Sequence, residues 1–180
     1  MPETRRRALL AAVSGTLVAV AAGCLSPADS SPPADLSVRA IDADEYRGVP
    51  TALDTVPDGA DATPFTGFGI GEERTDEGDD PPHCVWVWNA TDRERELTVG
   101  FETDANTVFE RSLTFAPDAC AGFVLFTPAA YTVAVEGGDW RETTTVEASW
   151  FDCNASATDV VVAEGGRLDV GSVMQSMYCG

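Results

Sequence analysis

The chain has 180 residues, with 30 acidic side chains against 11 basic ones and a single histidine, for a formal charge of -19 at pH 7. That length accommodates one domain, and the 44% apolar composition is enough to close a core. All eleven basic residues are arginine, which excludes a P-loop, a Schiff base and a lysine general base, and so acidic a surface argues against binding to nucleic acid.

At the N-terminus Arg5, Arg6 and Arg7 precede an apolar stretch, Ala8 to Ala22, and a small-residue run ending in Cys24. That stretch of 15 residues falls short of the roughly 20 that span a bilayer. A basic flank with a small-residue exit predicts a cleaved signal peptide over residues 1–23. Thr4-Arg5-Arg6-Arg7-Ala8-Leu9-Leu10 resembles the twin-arginine export signal, and Ala21-Ala22-Gly23-Cys24 resembles a lipobox. The resemblance implies that Cys24 becomes the lipid-bearing first residue of the mature protein, anchored on the extracellular face of the cell membrane. The alternative is an uncleaved N-terminal anchor with Cys24 an ordinary thiol; both leave the domain outside the cytoplasm. Removing residues 1–23 takes away Glu3 and three arginines, leaving 157 residues with 29 acidic and 8 basic side chains and a charge of -21. Repulsion of that size is screened only in concentrated salt, where the Debye length falls to about 3 Å at 1 M. A lysine-free acidic chain with these two signals is similar to a surface lipoprotein of a salt-loving, haloarchaeal organism.

Residues 24–35 form an expected lipidated tether, since Leu25-Ser-Pro-Ala-Asp-Ser-Ser-Pro-Pro-Ala-Asp35 has almost nothing to bury and its prolines favour an extended chain. A single β-sandwich domain is expected over 36–180, with an irregular segment over 36–83. Leu36 to Ile41 reads as a short strand. Tyr46 to Val56 has apolar positions for one or two helical turns, limited by Pro50 and Pro57. Gly67-Phe68-Gly69-Ile70-Gly71 lacks the spacing of a phosphate-binding loop and reads as a turn. Glu72 to Asp80 carries six carboxylates and one arginine, the pattern of a solvated loop with a possible cation-binding use but without EF-hand spacing.

From Cys84 onward short apolar runs alternate with turns. Cys84 to Trp88 is apolar on both faces, as a central strand requires, and Asn89 to Arg93 supplies a turn. Leu97, Val99 and Phe101 alternate with polar neighbours. Arg111 falls on the face of Phe109 and Leu113, predicting a bulge or an edge in that strand. Gly122 to Thr127, then Tyr131, Val133 and Val135, follow; Val146, Ala148 and Trp150 read as another strand, and Glu164 to Arg167 as a turn between Val160–Val162 and Leu168–Val170. About seven or eight strands predict an all-β, antiparallel sandwich.

The stretches VWVWNATDRERELTVGFE, LTFAPDA and PAAYTVAVEGG resemble the immunoglobulin-like domains of haloarchaeal lipoproteins, over residues 84 to about 170. Alanine stands at 129 and 130 where that pattern often has glycine. Tyr131 is either a corner tyrosine capping a strand connection or an ordinary strand tyrosine.

Apart from Cys24 there are four cysteines, Cys84, Cys120, Cys153 and Cys179, an even number that suggests two disulfides in an exported chain. Three connectivities are open; Cys84 with Cys120 and Cys153 with Cys179 is preferred, the second pair tying down a weak tail over 171–180. No Cys-x-x-Cys spacing points to zinc. Asn89-Ala90-Thr91 and Asn154-Ala155-Ser156 match the glycosylation pattern.

The only histidine, His83, follows Pro81-Pro82 and reads as an exposed loop or strand-flank residue; no Gly-x-Ser-x-Gly elbow accompanies it, and a copper site would need a second histidine. The expectation is a membrane-anchored, non-enzymatic immunoglobulin-like domain, without cofactor or metal, that binds an unidentified envelope or protein partner or serves a structural role. The alternative is a solute- or metal-ion-binding accessory lipoprotein whose handle is the acidic loop 72–80.

Overall fold

The computed structural model describes residues 36–42, 51–53, 56, 63–73, 81–104 and 106–175. The expected signal, Cys24, the tether, most of the helical turns over 46–56, the acidic loop beyond Glu73 and Cys179 lie outside the described residues. Among the described residues ten strands run in order: β1 (Val38–Ala40), β2 (Thr66–Ile70), β3 (His83–Asn89), β4 (Arg95–Thr103), β5 (Asn106–Phe115), β6 (Cys120–Leu125), β7 (Tyr131–Gly137), β8 (Trp140–Val146), β9 (Ala155–Val162) and β10 (Leu168–Gln175). They form a six-stranded sheet, β1-β2-β6-β3-β9-β10, and a four-stranded sheet, β5-β4-β7-β8. Among the described residues no helix is long and apolar enough to cross a membrane.

Sequence pattern sets which faces are covered. Val85 and Val87 of β3 pack with Val99, Phe101, Phe123, Val133 and Val160 between the sheets. The opposite face of β3, Cys84, Trp86 and Trp88, packs under Ile41 and Val56 from the N-terminal segment. Every residue of β3 is therefore buried, which is why the strand is apolar on both faces. β5 is an edge strand, and the β4–β5 register shifts between Phe101 and Glu102. Its inward Arg111 keeps its charge compatible with that face by stacking its guanidinium 5.0 Å from the Phe68 ring centroid.

The sandwich differs from the expected one in four respects. Among the described residues it has ten strands, and two pairs, β2 with β6 and β3 with β9, are parallel; strands that reach the six-stranded sheet after passing through the other sheet need not alternate in direction. Residues 66–70 are a strand and not a turn. Gly69 is needed because a Cβ there would lie 2.7 Å from the Phe126 ring, and only Gly71, at φ +93°, has turn backbone. Ala148–Trp150 is a 3-10 turn, since pairing with β7 ends at Val146 and the chain then crosses between sheets. The tail expected to be weak from Gly171 is β10 as far as Gln175, paired throughout with β9.

The register defines two ends. Val38, Ile70, Leu125, His83, Ser156 and Met174 form one row across the six strands. The chain enters the sandwich there. The turns after β3, β7 and β9 gather at the opposite, distal end.

Candidate functional site

At the distal end these three turns border a cleft of about 490 Å³ whose walls include Arg93, Arg95, Glu96, Asp139 and Trp140. Turn chemistry builds it. Gly138 and Gly165 have positive φ, and Gly166 and Gly137 leave room for the Trp140 indole: a Cβ on either would come within 2.4 to 2.6 Å of its ring atoms. Trp140 thus bridges the β7–β8 turn and the β9–β10 turn of the other sheet. Arg93 and Arg95 each place a guanidinium nitrogen 3.8 Å from Glu164. A mixed-charge cleft with one aromatic wall suits recognition of a polar partner; it contains neither a hydroxyl or thiol nucleophile nor an imidazole.

At the entry end His83 is fully buried, contrary to the exposed position expected from its prolines. Its Nδ1 lies 2.8 Å from Ser156 Oγ and its Nε2 3.0 Å from Thr158 Oγ1, while the Trp150 and Phe151 rings cover it. The tautomer follows from the neighbours. Ser156 Oγ donates to the Trp150 carbonyl at 2.9 Å, so it accepts from Nδ1–H, and Nε2 must accept from the Thr158 hydroxyl. Thr158 Oγ1 in turn lies 2.9 Å from Ser172 Oγ. Burial pushes the imidazole pKa down to about 4. A neutral histidine held between two hydroxyls, with no carboxylate among the described residues to orient it, is built as a core polar residue and not as a base. Beside it the Tyr131 hydroxyl donates to the Thr127 carbonyl at 2.8 Å, four residues upstream, as a corner tyrosine does.

A carboxylate that sequence reading passed over sits on the outer face of the six-stranded sheet. Asp159 is fully buried and accepts hydrogen bonds from the backbone of Ala52 and of Leu53, the latter at 3.0 Å, and from Trp88 Nε1 at 3.2 Å. Desolvation raises its pKa, and the three donors oppose that rise. It fixes residues 52 and 53 across β9 and β10.

The expected disulfide between Cys84 and Cys120 is not formed; both are free and buried. In the β3–β6 register Cys84 pairs with Val124 and Cys120 with Trp88, four positions apart. That separation is about 13 Å along the sheet, well beyond the roughly 7 Å over which two Cα atoms can be bridged. Burial pushes both thiols up to about 12, with the Asp159 charge adding to the effect at Cys120, so neither is a ready nucleophile. Cys153 is disulfide-bonded, and its partner lies outside the described residues, as does the expected Cys179.

The two sequons differ. Asn89 is fully buried: Nδ2 donates to the carbonyls of Arg93, Phe115 and Ala116 at 2.8, 3.2 and 3.0 Å, and Oδ1 accepts from the Thr91 hydroxyl at 2.7 Å. The nitrogen that would carry a glycan is the lock of the β3–β4 turn, which gives Asn89 a structural role. Asn154 is half-buried in the loop before β9, with Nδ2 directed at Asp152 and at the Met174 sulfur. Among the described residues no three His, Cys, Asp or Glu side chains converge as metal ligands.

Comparison with curated proteins found no match. A family match covers β4 to β10, seven of the ten strands, while β1, β2 and the central β3 lie before it. Residues 93–176 match the Halobacterial Ig-like domain, a likeness with which the two-sheet, all-β sandwich is consistent.

Proposed function

We propose that the protein is a lipid-anchored surface protein whose immunoglobulin-like sandwich is a non-enzymatic binding or structural module. The observation that carries this reading is the placement of the two ends: the chain enters at Val38, and the Trp140 cleft lies at the other end. A tether joined before Val38 would meet the sandwich at the end opposite the distal turns, which would then be the end offered to a partner in the envelope. The buried state of His83 and of both free thiols also supports a module without acid–base or thiol chemistry. The anchor is tested by intact mass and fractionation of wild type and Cys24→Ser. The expected result is a lipid-bearing mature chain beginning at Cys24, and for Cys24→Ser loss of the lipid with accumulation of precursor or release into the medium. Unchanged processing and membrane retention in the variant would sink the lipid-anchor reading.

A further inference from the structure

Of the four strands at sheet margins, three are built against edge pairing. β1 has only three residues and contains Arg39; β5 lies beside the register shift and displays Glu110 and Arg111; β8 displays Arg141 and Glu142. Short, irregular or charged edges resist pairing with another chain. β10 has none of these protections. It is eight residues long, and Val170 to Gln175 carries no charge in a chain of formal charge -19. The one carboxylate on the strand, Asp169, is already paired with Arg167 at 3.0 Å. Among the described residues no strand pairs with its outer edge.

The side chains of β10 tell the same story. Val170 and Met174 pair across to Val160 and Ser156 of β9, both buried, and so belong to the inter-sheet layer. They are nevertheless 42% and 45% exposed, because the four-stranded sheet is too narrow to cover the sixth strand of its partner.

We propose that β10 is a homodimer interface, pairing antiparallel with β10 of a second copy about a two-fold axis at Ser172. The strand is self-complementary about that residue. Val170 of one copy then faces Met174 of the other, which covers both exposed apolar residues, and Asp169 faces Gln175, so no like charges are opposed. The two six-stranded sheets become one continuous sheet, and the free backbone donors and acceptors of each edge are satisfied. A second copy is the favoured occupant because both requirements, apolar against apolar and no opposed charge, are met by this one strand taken twice. The inference does not depend on the lipid anchor.

Sedimentation of the full chain in density-matched detergent, with micelles in excess, at about 3 M KCl to screen the net charge, is expected to show a concentration-dependent monomer–dimer equilibrium. Val170→Glu and Met174→Glu should each weaken the dimer by about tenfold or more, since symmetry introduces every charge twice. Val170→Arg combined with Met174→Glu should restore dimerisation, because each arginine faces the other copy's glutamate. Within one copy the two positions are four residues apart, about 13 Å, too far to pair. Thermal melts establish that the variants fold. A chain that stays monomeric, a dimer indifferent to the single charges, or a folded double variant that fails to recover would each overturn the proposal.

Discussion

His83 and Ser156 stand opposite one another in the parallel register between β3 and β9, and the imidazole Nδ1 lies 2.8 Å from the serine oxygen. The relationship explains how a histidine can be fully buried without a countercharge. Each ring nitrogen meets a hydroxyl of the matching polarity, so the neutral form is satisfied and only the protonated form suffers from desolvation.

That geometry has a pH signature. The folded-state pKa, about 4, lies below the ordinary value of 6.5, so His83 contributes stability that is fully present above about pH 6.5 and is lost as pH falls towards 4. Between pH 6.5 and 5 the loss is about 1.6 kcal/mol. Chemical denaturation of His83→Gln should lack this component relative to wild type. Identical slopes over the same interval would mean that the imidazole is solvated in the folded chain.

Asn89 supplies a second test. Asn89→Ala removes the donors to three backbone carbonyls at the β3–β4 turn and should cost about 3 kcal/mol in unfolding free energy. Glycopeptide mapping should find Asn89 unmodified in the folded protein. A glycan there would show that the turn opens.

Asp159→Ala should free residues 52 and 53 from β9, at a cost of about 2 to 3 kcal/mol for the hydrogen bonds accepted by a buried carboxylate. Hydrogen exchange at the Ala52 and Leu53 amides should speed up while β4 and β7 stay protected. Unchanged exchange at those amides would contradict the assignment of Asp159 as their anchor.

How much of this was visible in the sequence depended on whether the cause was local. Strict alternation identified Leu97, Val99 and Phe101 of β4 and Tyr131 to Val135 of β7, because one face of each meets the core and the other does not. β8 was missed: as an edge strand with only Val146 buried, it has no alternation to read. Gly67 to Gly71 reads locally as a turn because the close approach of Phe126 to Gly69, 57 positions away in the chain, cannot be seen locally. His83 and Asp159 failed for the same reason, since their partners lie 71 to 107 residues distant. Asn89 is ambiguous in the sequence for a different one. The Asn-x-Thr pattern of a glycosylation site is also the pattern of a turn in which the threonine hydroxyl locks the asparagine, and only burial separates the two.

The acidity of the chain predicts a salt response. With 29 carboxylates and 8 arginines from Cys24 onward, screening should relieve repulsion, and the melting temperature should rise as KCl is increased from about 0.1 to 3 M, the range over which the Debye length collapses. A flat or falling melting temperature would mean that the charge has no part in adaptation to salt.

The most direct test of the surface-module reading is release from intact cells. A cleavage site for a salt-tolerant protease, inserted in the tether between Ser31 and Pro32, should let externally added protease shed the folded domain into the medium, with lipid and Cys24 left in the membrane. A domain that stays cell-associated and uncut while the same site is cleaved in lysed cells would contradict an anchored sandwich on the outer face.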